Sequence, residues 1–85
     1  MKLRDDIGEI TNRVLNYFHN QGNYISESDA LFQVGAIDSL GLLEMVAFLE
    51  EEFDVVLDQD IMTLENFETV KRIATTVSQV RHGNS

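Results

Sequence analysis

With 85 residues the chain has room for one small domain with a modest core, and a domain of that size buries only roughly 60% of its unfolded surface. Its 44% hydrophobic and 25% charged residues exclude a disordered chain, and the lack of cysteine excludes disulfides, thiolate metal sites and cysteine nucleophiles. A net charge of −9 disfavours nucleic acid and anionic membrane; it either draws partners rich in Arg and Lys or only keeps a small protein soluble.

The N-terminus enters a charged amphipathic pattern at once. It shows no signal peptide and no apolar run able to span a bilayer, so the cytoplasm is the expected compartment. Leu3, Ile7, Ile10, Val14 and Tyr17 or Phe18 recur every three or four residues, which predicts a helix over about 4–18. Gln21-Gly22-Asn23 stops it. Residues 20–38 then make a long connection, of the kind that is either functional or pinned by buried side chains. Ile25, Leu31, Phe32, Val34 and Ile37 are the expected pins, and Ser26 with Asp29 can cap a single turn.

A second helix is expected over about 39–53. At about 100° per residue, Leu42, Met45, Val46, Leu49 and Phe53 share a core side. Leu40, Glu44, Ala47 and Glu51 fall nearly opposite, with Leu43 at the margin. This mixed apolar and acidic face is a partner surface, or else Leu40 and Leu43 pack under the long loop. Phe48 lies near that face by angle but could also pack on the loop. Glu50-Glu51-Glu52 reads as a solvated charge run.

Asp54 ends this helix, and Val55-Val56-Leu57 is an apolar linker expected to insert into the core. A short helix is expected at about 59–63, begun by Asp58-Gln59-Asp60. Thr63-Leu64-Glu65-Asn66-Phe67 then turns into a last helix over about 66–80, with Phe67, Val70, Ile73, Ala74, Val77 and Val80 on its apolar side. Residues 81–85 are expected to form a frayed tail beyond a single domain of residues 1–80. The predicted fold is all-α: a small antiparallel four-helix bundle of three main helices and one short one, with a long loop between the first and second.

Asp38-Ser39-Leu40 is the most informative short segment. It puts a serine hydroxyl at a helix N-terminus, where backbone N–H groups and the helix dipole favour a phosphate. No general base, metal cluster or second catalytic group accompanies it, so the serine is a target of another enzyme and the protein is not an enzyme. On these two residues alone, Asp38-Ser39 reads better as a helix cap and nothing else, and the residues around them shift the weight. A calcium loop from Asp58 fails, because Met62, Thr63 and Thr69 occupy the fifth, sixth and twelfth positions. His19 and His82 each sit near a helix C-terminus, where a cation is favoured, and form no triad.

The run from Gly35 to Val46, followed by Leu49-Glu50-Glu51-Glu52-Phe53 and by Thr63-Leu64-Glu65-Asn66-Phe67-Glu68-Thr69-Val70, resembles the acyl carrier protein family, including peptidyl and D-alanyl carrier proteins. The resemblance extends from about Ile7 to Val80. It implies that Ser39, flanked by Asp38 and Leu40, carries a 4′-phosphopantetheine arm installed from coenzyme A by a phosphopantetheinyl transferase. The arm's thiol would hold an acyl or aminoacyl group as a thioester. Leu40, Leu43, Glu44, Ala47 and Glu51 match the face such carriers offer to partners. The implied partners are a loading ligase or acyltransferase and a downstream synthase or transferase with basic docking patches, met by a monomeric carrier with no nucleic acid or membrane involved.

Three positions depart from the fatty-acid carriers of the family. Gly41 stands where many have an acidic residue, and Leu57 and Leu64 where proline is common. These changes weaken the match to a housekeeping carrier, and Leu31-Phe32-x-x-Gly35-x-Ile37-Asp38-Ser39 resembles more the discrete carriers of specialised polyketide, nonribosomal peptide or aminoacyl-loading systems. A housekeeping fatty-acid carrier is the alternative within the family. A helical interaction module with Ser39 as a cap is the alternative outside it.

Overall fold

The structure is a computed structural model and describes residues 6–83. Three helices and one 3₁₀ turn make up its regular structure, with no strand among the described residues: α1 (Asp6–Asn20), α2 (Ser39–Phe53), the 3₁₀ turn (Glu65–Phe67) and α3 (Val70–Arg81). The expected first turn of α1, with Leu3, lies outside the described residues.

The first helix ends two residues later than its apolar stripe suggests, and its stop is local. Gly22 takes φ +87°, its N–H donates to the His19 carbonyl, and the Asn23 N–H donates to the Phe18 carbonyl at 2.9 Å. This is a Schellman ending, which needs a residue free to adopt positive φ. The limits of α2 are those expected. Asp54 closes it in the left-handed region (φ 56°, ψ 50°), its N–H donating to the Glu50 carbonyl.

Beyond α2 the structure departs from the expectation. No helix forms over 59–63. One turn forms, in which the Ile61 and Met62 N–H groups both donate to the Asp58 carbonyl. It cannot propagate, because the Ile61 carbonyl already accepts from the Thr63 N–H and from the Asn66 side-chain amide, each at 2.8 Å. The last helix starts at Val70 and not near 66. Thr69 is extended (φ −136°, ψ 162°), and its hydroxyl accepts from the Arg72 N–H at 3.0 Å. It therefore acts as the N-cap and divides the 3₁₀ turn from α3. At the other end α3 runs to Arg81, one residue into the expected tail, while residues 84 and 85 lie outside the described residues.

The core joins Ile10, Val14 and Phe18 of α1, Met45, Val46, Leu49 and Phe53 of α2, and Val70, Ile73, Ala74 and Val77 of α3. Leu42 is only half-buried against it. Leu31, Ile37, Val55, Leu57 and Phe67 enter from the connections. Two expected core residues are outside it. Val34 is 54% exposed and Val56 is 78% exposed. Burial alternates along Val55–Leu57, whose first and third side chains are buried and whose second is not. Phe48 settles against α1 and not on the loop, its ring 4.6 Å from that of Tyr17.

The long loop is held by backbone bonds to the start of α3. The Leu31 N–H donates to the Glu68 carbonyl at 2.8 Å, and the Lys71 N–H donates to the Glu27 carbonyl at 3.0 Å. The Ser26–Asp29 turn forms as expected, with the Ser26 N–H on the Asp29 carboxylate at 2.9 Å.

Candidate functional site

The geometry before α2 follows from how the loop closes on itself. Ala36 and Ile37 N–H groups both donate to the Leu31 carbonyl, at 2.9 and 3.3 Å. Ile37 is buried and anchors the chain immediately ahead of the helix. Asp38 is extended (φ −130°, ψ −169°), and its Oδ1 accepts from the Gly41 N–H at 2.7 Å. Its carbonyl takes the first helical bond, from the Leu42 N–H at 2.7 Å. Asp38 is therefore the N-cap, and such a cap is worth about 1 kcal/mol over alanine.

That assignment separates the roles of the two residues. Ser39 is the first helical residue and exposed, not the cap. The amides of Ser39 and Leu40, as in any first helical turn, have no intrahelical acceptor. With the positive end of a 15-residue helix, they leave a place suited to a phosphate ester on Ser39.

Gly41 permits a close approach. A Cβ there would lie 3.1 Å from Asp38 Oδ1 and 3.3 Å from Ile37 Cγ1. The bare backbone lets the capping carboxylate and the Ile37 anchor sit tightly on the first turn.

Beyond Ser39, α2 presents two unlike sides. Met45, Val46 and Leu49 are buried, whereas Leu40 is 66% and Leu43 is 58% exposed. Glu44, Ala47 and Glu51 are exposed as well. The loop does not cover Leu40 or Leu43. The acidic run, expected to be uniformly solvated, divides by role. Glu50 is half-buried and its carboxylate accepts from the Leu57 N–H at 2.8 Å. Glu52 pairs with Arg13. Only Glu51 remains on the open face. The sequence signal for Glu50 was weak, because its acceptor role depends on a backbone donor seven residues away.

Charge is segregated along the chain. Between Arg13 and Lys71 there is no Lys or Arg, yet this stretch holds twelve of the fifteen acidic residues. It contains the long loop, α2 and the 3₁₀ turn, which together carry a strongly negative net charge.

Neither histidine serves Ser39. His19 Nε2 is 3.5 Å from the Ile25 carbonyl, and His82 Nε2 is 3.2 Å from Asp6 Oδ2. Among the described residues, no cluster of three or more His, Asp or Glu side chains could hold a metal ion, and no helix is long and apolar enough to cross a membrane.

A family model described as a phosphopantetheine attachment site matches residues 3–77. No curated protein and no solved structure matches the chain. The match takes in α1, the loop, α2, the 3₁₀ turn and most of α3, and within it the open first turn of α2 suits the esterified phosphate that such an attachment requires. The chain belongs to the phosphopantetheine attachment family, whose members hold 4′-phosphopantetheine covalently on a serine and act as carriers without catalysing a reaction themselves.

Proposed function

We propose that Ser39 is the serine that bears the arm. The observation that carries this is its place as an exposed first residue of a long helix whose cap is supplied by its neighbour. The family match contains Ser26, Ser28 and Ser39. Ser26 and Ser28 lie in a turn where the Ser28 N–H donates to the Ser26 hydroxyl, and neither opens a helix. Ser78 and Ser85 lie beyond the match.

When bound, the arm supplies a thiol that can hold an acyl or aminoacyl group as a thioester. The chain's own residues do the rest. Asp38 holds the first turn in shape, and the amides of Ser39 and Leu40 would hold the phosphodiester. Glu44 and Glu51 steer basic partners, while Leu40, Leu43 and Ala47 give apolar contact. Those partners are a phosphopantetheinyl transferase, a loading ligase or acyltransferase, and a downstream synthase or transferase. The arm keeps its cargo at high effective concentration at whichever enzyme has docked.

The protein acts as a monomeric antiparallel bundle in the cytoplasm, in a specialised polyketide, nonribosomal peptide or aminoacyl-loading pathway more than in housekeeping fatty-acid synthesis. The preference rests on the Leu31-Phe32-x-x-Gly35-x-Ile37-Asp38-Ser39 pattern, with Gly41, Leu57 and Leu64 as departures from the housekeeping carriers.

The test is intact mass after incubation with coenzyme A and a broad-specificity transferase. One phosphopantetheine on the parent and none on folded Ser39→Ala is the expected result. Addition to the Ser39→Ala protein would move the attachment point elsewhere.

A further inference from the structure

The loop and the 3₁₀ turn enclose a surface groove of about 320 Å³, lined by Ala30, Phe32, Gln33, Leu64, Glu65 and Glu68. Its apolar wall is unusually open for side chains of this kind: Phe32 is only half-buried and Leu64 is 66% exposed. Two of its lining residues, Glu65 and Glu68, are acidic and exposed, and no Lys, Arg or His lines it.

Backbone bonds fix the groove close to Ser39. Leu31, between two lining residues, receives the Ile37 N–H on its carbonyl at 3.3 Å and donates to the Glu68 carbonyl at 2.8 Å. Ile37 is two residues from Ser39, and two residues span at most about 7 Å. Adding the bonded contact and one more residue puts the Phe32 Cα no more than about 18 Å from that of Ser39. A phosphopantetheine chain has about as many bonds as five extended residues and so reaches roughly 17 Å beyond the serine oxygen. The end of the arm can therefore enter the groove.

We infer that this groove receives the aminoacyl end of an aminoacyl cargo, its side chain on Phe32 and Leu64 and its α-ammonium group against Glu65 and Glu68. The inference rests on Ser39 as the attachment point and names the substrate class. Charge decides the class: an ammonium group gains from two carboxylates, a neutral acyl chain gains nothing from them, and a dicarboxylic acyl group is repelled. Each ion pair at so exposed a site is weak. Tethering offsets this, because an effective concentration on the order of millimolar half-fills a site of only millimolar affinity. The competitor is Arg72, whose guanidinium lies 4.0 Å from the Glu65 carboxylate.

The experiment compares two forms of the protein made with the transferase and coenzyme A analogues. One analogue carries leucine through a stable amide in place of the thioester, and the other carries its counterpart without the amino group, 4-methylpentanoate. Intact mass verifies loading on Ser39, and amide chemical shifts report the groove. The leucine form should shift Phe32, Gln33, Leu64, Glu65 and Glu68 relative to the counterpart. That difference should vanish in the Glu65→Gln/Glu68→Gln protein and grow in Arg72→Gln. Identical spectra for the two loaded forms, or a difference that survives the double substitution, would overturn the groove assignment and leave Ser39 standing. Failure of Ser39 to accept either arm would overturn the attachment reading, and the groove assignment with it.

Discussion

The two ends of α2 handle their polar groups in opposite ways. At the C-terminal end, Phe53 is buried beneath two guanidinium groups, Arg13 from α1 and Arg81 from α3, each 5.7 Å from the ring centre. Arg13 also pairs with Glu52 and Glu9. Arg81 reaches Asp6, whose carboxylate accepts from the fully buried Ser78 hydroxyl at 2.8 Å. Each of these two guanidinium groups has a carboxylate partner from another element or another turn. At the N-terminal end, a hydroxyl, two first-turn amides and two large apolar side chains face solvent. One end of the helix is occupied in holding three helices together, and the other, where we propose that the arm is attached and partners dock, stays exposed. In so small a domain the two roles separate along about 21 Å of a single helix.

Substitution at one end should remove chemistry and spare the fold, and the reverse at the other. The largest expected effect is Ser39→Ala, with total loss of phosphopantetheine transfer by mass and an unchanged circular dichroism spectrum. A folded Ser39→Ala protein that still gains the arm would break the comparison at its reactive end. Phe53→Ala should cost about 3–5 kcal/mol, through the cavity left under two guanidinium groups. That is enough to unfold much of a small domain, and a urea titration measures it.

Asp6→Ala comes next, at about 1–3 kcal/mol, because it strands the buried Ser78 hydroxyl without an acceptor. For a domain of this length each kcal/mol lowers Tm by about 4–8 °C, so calorimetry resolves it. A melting point equal to the parent's would mean that the clamp contributes nothing. Glu44→Lys and Glu51→Lys should leave Tm within a few degrees, yet slow association with a basic partner about tenfold at low salt, an effect that high salt erases. Stopped-flow binding at two salt concentrations checks this.

The smallest expected effect is at Gly41. Alanine there gains about 1 kcal/mol of helix propensity. It also places a methyl group 3.1 Å from the carboxylate that caps the helix and 3.3 Å from a buried isoleucine, which opposes the gain. The net change should stay within about 0.5 kcal/mol. A clear stabilisation would show that the cap yields easily and that its tight seat is not needed.

Which features were legible in the sequence depended on how far apart the responsible residues lie. The limits of α2 were readable because its signals, Asp38 at the start and Asp54 at the end, are adjacent to it. The fourth short helix was misread because its carbonyl at Ile61 is taken by Asn66, five residues on. Thr69 was overlooked as a cap although Thr before a periodic apolar run is a readable signal; the apolar Phe67 drew the helix start too early.

The sequence by itself determined the three helices, most of the core, the serine at the head of α2 and the resemblance to carriers, because periodicity, capping and a contiguous run of residues are local. The tertiary structure alone decided that Leu40 and Leu43 stay uncovered, that Glu50 leaves the acidic face, and that Phe32, Leu64, Glu65 and Glu68 line one groove. Each of these depends on which distant donor, acceptor or surface a side chain finds once the chain has closed on itself.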